Sequence, residues 1–409
     1  MKNANSNPSF TVASKIFWAD RLDQLPPYLF VEIDRKKREA IAAGRDVIDF
    51  GVGDPDLPTH KFIVDAMAEA IRKPPHHRYA QGAGSLEFLE TVAAYFQKRF
   101  GVSLDPGTEV LALLGSKEGL CHLPTGVLNP GETALIPDPC YPVYIAGTLF
   151  AGGKCHMMAL TETNGWLPDL EAIPRSVLSD AKLLYLNYPN NPTAACAPHS
   201  FFEKAVAFAR QHNLLIVQDA AYCDMFFDTP PPSILQVSGA KDVAIELHSL
   251  SKTFNMTGWR SAFAVGNAKA IAALAKVKNN VDSGIFGAVQ EASIAALRGI
   301  DRPEIKEQIA TYRARRDILV FGLREAGWSV AAPQATFYVW SKPPPWEGEA
   351  TPKLRSSMSS ASRILAEADV VTIPGIGFGQ CGEGYIRFAL TVSETRTQQA
   401  VERIMKMKW

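Results

Sequence analysis

Between about residues 61 and 299, short apolar runs alternate with helix-like stretches, and this rhythm constrains the fold more than any other feature. The strand-like runs fall at 109–114, 133–136, 154–159, 182–187, 214–218, 243–248 and 261–265. Several are continuously apolar rather than alternating, the pattern of strands buried on both faces. Helical periodicity fills the intervals, as at 116–127, 200–212 and 268–277. An α/β core is therefore expected, a mostly parallel sheet with helices on both sides. The remainder reads as a smaller α+β unit: a long helix at 303–326, strands near 336–340, 370–373 and 385–390, and helices near 354–367 and 393–407. An N-terminal helix near 28–43 is too isolated to build a core and is expected to pack on that unit. The reading divides the chain into an N-terminal arm with part of the small domain (1–58), a large domain (59–300) and a small C-terminal domain (301–409).

Composition narrows the function classes. Lys plus Arg and Asp plus Glu each number 42, so the net charge is zero and no bulk field draws the chain to nucleic acid or an anionic membrane. A charged fraction of 21% with 47% hydrophobic residues excludes a disordered or fibrous chain. Of six cysteines, no two lie closer than Cys140 and Cys155, so the sequence has no CxxC and no metal-ligand spacing. They read as reduced thiols. Met1 to Thr11 is polar, without an apolar signal core, and no segment approaches the roughly 18 uninterrupted apolar residues of a membrane span. The expectation is a cytoplasmic protein without metal, membrane or nucleic-acid partners.

Three segments at strand ends carry candidate chemistry. Ser249 to Arg260 (SLSKTFNMTGWR) gathers two serines, a lysine and an arginine where an α/β sheet would bind phosphate. The plain alternative is a solvated loop. Leu214 to Tyr222 (LLIVQDAAY) ends an apolar strand on Asp219, which by itself would suit a helix cap. Leu186 to Thr193 (LNYPNNPT) runs a strand into a Pro/Asn turn, which those residue types satisfy without any function.

Together, and in this order, the segments resemble the class I/II aminotransferases, the fold type I enzymes that use pyridoxal 5'-phosphate. The likeness covers nearly the whole chain, and 33 residues separate Asp219 from Lys252. The resemblance implies that Lys252 condenses with the cofactor aldehyde and later shuttles the substrate's α-proton. It implies that Asp219 keeps the pyridine nitrogen protonated, and that Tyr222 and Asn191 bond the 3-oxygen. Ser249, Ser251, Arg260 and the backbone of Ser116 and Lys117 would hold the phosphate, and Tyr141 would stack on the ring. For the substrate it implies Arg387 as the α-carboxylate clamp, with Asn191 beside it and the Gly53 loop on the same carboxylate. Tyr79 would reach the phosphate of a neighbouring subunit, which implies a homodimer with shared active sites.

Two motifs are declined. Gly377 to Gly382 fits GxGxxG, but it precedes a strand rather than opening a helix, and reads as a flexible loop near the substrate. His76-His77 is no metal pair, since neighbours on an extended chain point apart and no acidic partner is evident.

Within the family, Pro27 to Ile33 and Asn280 to Gln290 resemble LL-diaminopimelate aminotransferases, in which a tyrosine at the position of Tyr28 borders the substrate. That makes amino transfer between LL-diaminopimelate and 2-oxoglutarate, in lysine biosynthesis, the preferred reading. Two departures stand beside it. The loop after Tyr79 is Ala80-Gln81-Gly82-Ala83, without the glutamate of the best-known members, and the NNPT turn continues into Ala194 instead of glycine. Aspartate, alanine or aromatic amino acids remain alternative donors, and a carbon–sulfur lyase on the same fold is a further alternative. A sensor built on an inactive domain fits poorly, because the 27 residues before Tyr28 are too few for a DNA-binding domain.

Overall fold

The computed structural model describes residues 19–25, 30–80, 82–345 and 356–409. Thirteen strands occur among them: β1 (Ile48–Asp49), β2 (Val110–Leu113), β3 (Thr133–Asp138), β4 (Lys154–Ala159), β5 (Ala181–Asn187), β6 (Leu215–Asp219) and β7 (Ala244–Ser249). These are followed by β8 (Ala262–Gly266), β9 (Ser329–Val330), β10 (Tyr338–Lys342), β11 (Val370–Val371), β12 (Ile373–Pro374) and β13 (Ile386–Ala389). Seven form one sheet in the order β2-β8-β7-β6-β5-β3-β4, in which only β8 runs against its neighbours. The fold is thus the expected α/β type, a mixed, mostly parallel sheet.

Burial on both faces explains why its strands read as unbroken apolar runs. Along β5, Leu184 and Leu186 enter one core cluster with Phe96 and Phe202, while Leu183 and Tyr185 enter another with Leu123 and Tyr144. Successive side chains point to opposite faces, so a strand with both faces covered has no polar alternation. The edge strand β4 is the exception, with Lys154, Met157 and Ala159 exposed.

The second sheet has the order β12-β13-β10-β9 and is antiparallel throughout. Its cluster joins Phe337, Ile386 and Phe388 to Leu319 from the helix Pro303–Glu325, to Ile364 from Ser357–Ala368, and to Ile33 and Ala40 from Phe30–Ala42. The N-terminal section is stitched in by backbone as well, since β1 pairs in parallel with β11, Ile48 opposite Val370. Among the described residues no helix is long and apolar enough to cross a membrane.

Two local expectations need correction. The 377–382 segment is not a flexible loop: it forms two short 3-10 turns, Gly375–Phe378 and Gln380–Gly382, with Phe378 and Gly382 buried. The Cys140 amide donates to the Phe378 carbonyl at 2.8 Å, which fastens the segment to the turn that follows β3. His76 and His77 are likewise not extended but lie in a 3-10 turn, Pro74–His77. His76 does have an acidic neighbour, Glu291, at 2.6 Å from Nε2, whereas His77 meets the Ile71 carbonyl.

Candidate active site

The carboxyl ends of three adjacent parallel strands converge. The register sets Asn187 of β5 beside Asp219 of β6, and Asp219 beside Leu247 of β7. Each strand then feeds a chemically loaded turn, so segments far apart in sequence meet at one edge, where α/β sheets bind ligands.

β7 ends at Ser249, whose hydroxyl accepts the Ser251 amide at 3.2 Å and starts a single helical turn, Leu250–Thr253. That turn presents Lys252, whose Nζ donates to the Gly53 carbonyl at 2.7 Å and lies 5.6 Å from the Phe337 ring centroid. Burial lowers the Lys252 ammonium to about 8; Asp54 opposes the change, and Arg387 and Arg260 add to it. Roughly a tenth of the amine is then neutral at pH 7, far more than for an ordinary lysine.

Asp219 is buried at the end of β6. Its carboxylate accepts the Tyr144 hydroxyl at 2.8 Å and the Ala221 amide at 3.2 Å. Burial raises it to about 6 against those two hydrogen bonds and the nearby His248. Asn187 ties β5 to this turn by donating to the Asp219 carbonyl at 2.8 Å, and its side-chain oxygen accepts the Asn191 amide at 2.8 Å. The Asn191 side chain is thereby aimed at Arg387, whose Nη1 donates to its Oδ1 at 2.9 Å.

Arg387, on β13, is buried; its Nη2 donates to the Gly51 carbonyl at 2.9 Å, and Nε has no protein partner. The guanidinium lies between two aromatic rings, 4.3 Å from the Tyr338 centroid and 4.7 Å from that of Phe378. The hydroxyls of Tyr222 and Tyr338 are 2.9 Å apart.

Close by, the Arg260 guanidinium lies so near Gly115 that a Cβ there would collide with it. Gly115, at φ +86°, is the N-cap of the helix Ser116–Val127, whose free amides face the same place. Ser251 Oγ is buried without a hydrogen-bond partner. Cationic fork and helix N-terminus together make an anion cradle, and the turn bearing Lys252 adds an orphaned hydroxyl. With the desolvated lysine and the buried acid, this donor set fits pyridoxal 5'-phosphate.

The structure therefore gathers Lys252, Gly53, Asn191, Tyr222 and Arg387, with Asp219 at the neighbouring strand end; it brings Arg260 to the helix start at Gly115 and Ser116, and Ser249 and Ser251 lie on the turn that carries Lys252. Tyr141 is half-buried, its ring edge-on to Tyr144 at 6.0 Å. The Lys117 side chain is exposed. Tyr79 is 93% exposed and is not brought to this chain's own cluster. Tyr28 and Gln81 lie outside the described residues. Sequence reasoning missed Tyr338, Phe378 and the role of Tyr144. Tyr144 lies three residues after Tyr141 in the stretch DPCYPVY at 138–144, and Tyr338 had a signal too: a tyrosine hydroxyl inside an apolar strand needs a partner.

Comparison with known proteins agrees with this geometry. The profile of the family described as aminotransferase class I and II matches residues 45–404. The chain is 51% identical over 392 residues to an LL-diaminopimelate aminotransferase of Syntrophobacter fumaroxidans, covering 96% of this chain and 99% of that protein. It is 49% identical over 392 residues to one from Aquifex aeolicus, with the same coverage. Among solved structures it resembles substrate-bound BacF from Bacillus subtilis, with TM-score 0.88, 39% identity, and coverage of 95% of this chain and 97% of that one. With a matching profile over most of its length and relatives of about half identical sequence, the chain belongs to the class I and II aminotransferases.

Proposed function

We propose that the protein transfers an amino group between LL-diaminopimelate and 2-oxoglutarate. The observation that carries the substrate assignment is the end-to-end likeness, about half identical, to enzymes named for that amino acid in several bacteria. The reaction class and the cofactor, pyridoxal 5'-phosphate, belong to the family.

When bound, that cofactor supplies an aldehyde for amines and a ring that accepts the electron pair released at the amino acid's α-carbon. The chain's own residues do the rest. Lys252 would offer a partly neutral amine to the aldehyde, and, once freed by the substrate's amino group, its Nζ would take the α-proton and deliver it to the carbon of the former aldehyde. Asp219 holds positive charge at the ring nitrogen, and Tyr144 fixes the carboxylate that does so. Tyr222 would donate to the 3-oxygen, and Asn191, which accepts a hydrogen bond from Arg387, would orient that guanidinium and add a second contact to the 3-oxygen. Arg260, Ser249, Ser251 and the first amides of the helix Ser116–Val127 take the phosphate. Arg387 binds the α-carboxylate through the donors that Asn191 and Gly51 leave open, and Nε, without a protein partner, is one of them.

The exposed ring of Tyr79 gains a role if it contacts the phosphate of a second copy, which supports a homodimer with shared sites. Two clusters flanking the large sheet and a separate one under the small sheet support a large domain at 59–300 and a small one from 1–58 and 301–409. A biosynthetic enzyme drawing on free glutamate belongs in the cytoplasm. The test is a panel of amino donors against 2-oxoglutarate with cofactor-loaded protein, reading glutamate. LL-diaminopimelate is expected to be the best donor, and turnover of aspartate or an aromatic amino acid without turnover of LL-diaminopimelate would refute the substrate.

A further inference from the structure

Tyr338 stands where three parts of the site meet. Its ring carries the Arg387 guanidinium at 4.3 Å, its hydroxyl is 2.9 Å from that of Tyr222, and a Cβ on Gly53 would collide with the same hydroxyl. Gly53 is the residue whose carbonyl accepts Lys252. Both tyrosines are buried, so each hydroxyl must satisfy itself within the protein or with a bound ligand. The backbone holds them in register: the Thr336 amide donates to the Met225 carbonyl at 2.6 Å, and the Tyr338 amide donates to Thr336 Oγ1 at 3.0 Å. This ties the strand bearing Tyr338 to the turn that follows Tyr222.

We propose that Tyr338 is a positioning residue with two separable actions: its hydroxyl sets the direction in which Tyr222 donates, and its ring seats Arg387. The inference rests on the assignment of Tyr222 to the cofactor's 3-oxygen. A phenol has one hydrogen to give. If Tyr222 gave it to Tyr338, none would be left for the cofactor. Tyr338 must therefore donate to Tyr222, leaving the Tyr222 hydrogen free for the 3-oxygen. A hydroxyl that accepts a hydrogen bond also becomes a stronger donor. Burial keeps the Tyr222 phenol well above its ordinary range, so it enters this chain as a neutral donor. The charged groups facing the pair are Arg387 from β13, Asp219 from β6 and Lys252 from the turn after β7. None of these hydrogen-bonds to either hydroxyl, so none competes with the contact between the two phenols.

The test compares cofactor-loaded wild type with Tyr338→Phe, Tyr338→Leu and Tyr222→Phe, reading the pH midpoint of the visible absorbance and, separately, KM for the amino donor. Weaker donation to the 3-oxygen favours retention of the proton on the lysine–cofactor nitrogen, so the midpoint rises. Tyr338→Phe keeps the ring and loses the hydroxyl: the midpoint should rise by about half a pH unit, with KM changed by less than about twofold. Tyr338→Leu should show the same rise and, with the ring gone from Arg387, a KM raised about tenfold. Tyr222→Phe should raise the midpoint further than either. A shift with Tyr222→Phe but none with Tyr338→Phe overturns the relay while leaving the Tyr222 assignment standing. No shift with either removes both. A KM change in Tyr338→Phe as large as in Tyr338→Leu overturns the separation of ring from hydroxyl.

Discussion

Asp219→Asn should stabilise the cofactor-free protein while abolishing most of its turnover, and the dependence on pH makes the reasoning checkable. The Asp219 carboxyl is buried and raised from 3.8 to about 6, with burial as the largest cause. Keeping it ionised in the folded, cofactor-free chain therefore costs roughly 3 kcal/mol. The folded pKa lies above the unfolded one, so the folded state binds more protons between pH 3.8 and about 6, and stability falls as pH rises through that window. Asparagine has nearly the same shape and no charge. Its oxygen can still accept the Ala221 amide, and its amide can donate to the Tyr144 oxygen, so little hydrogen bonding is lost. Urea unfolding of the cofactor-stripped proteins should give an Asn variant about 2 kcal/mol more stable at pH 8, with the difference vanishing near pH 4. Loading the cofactor should reverse the order at pH 8, because only the carboxylate gains a positive ring nitrogen as its partner. An Asn variant less stable than wild type at both pH values, or a difference that ignores pH, would refute the account of a desolvated, ionised Asp219.

Three further outcomes follow from single contacts. Ser251→Ala removes a buried hydroxyl that has no protein partner, so cofactor-free stability should stay level or rise by up to about 1 kcal/mol, while the cofactor dissociation constant measured by absorbance rises about tenfold. Arg387→Lys keeps the charge but loses the planar fork held between two rings, so KM for amino donors should rise about 10- to 100-fold in steady-state kinetics, with the visible spectrum unchanged. Ala194 sits at φ 60° inside the NNPT turn, a left-handed conformation costly for any side chain, so Ala194→Gly should raise the unfolding midpoint by an amount worth about 0.5–1 kcal/mol.

The Ala194 geometry also bears on the departure noted in the sequence, where alanine follows NNPT. Ala194 sits in a closed turn, in which its amide donates to the Asn190 carbonyl at 2.9 Å and Thr193 bonds the Asn190 side chain at 2.8 Å. The network holds an unfavourable torsion in place. The large sheet was legible because double burial writes its strands as unbroken apolar runs, and their ends fell within a residue or two of the observed β2 to β8. The strand-end motifs were legible because each acts through neighbours a few residues away in sequence. The parts that escaped depend on register between distant elements. Nothing local announces that Tyr338 meets Tyr222 across 116 positions, or that Phe378, in a segment read as loose, covers Arg387 from the other side. The premises given for His76, an extended chain without an acidic neighbour, failed for the related reason that a 3-10 turn brought it to Glu291.

Register also explains how a chain with no net charge can hold two anions. A cation paired with a carboxylate of its own would offer a substrate carboxylate little, since the newcomer would first have to displace the resident. Trp340 stands directly opposite Arg387 in the β10–β13 ladder, and Tyr338 lies two residues before it on the same face. The groups that hold the Arg387 guanidinium among the described residues are two aromatic rings, a side-chain amide oxygen and a backbone carbonyl, none of them an acid. Ring faces and carbonyls hold the guanidinium in place and partly repay its desolvation without cancelling its charge. Elsewhere the chain pairs its buried cations with acids, as Lys278 with Asp282 and Arg315 with Asp56. Arg315 on its helix is matched by a carboxylate, and Arg387 in its cleft is not. The unmatched charge belongs to the site that must take an anion from outside.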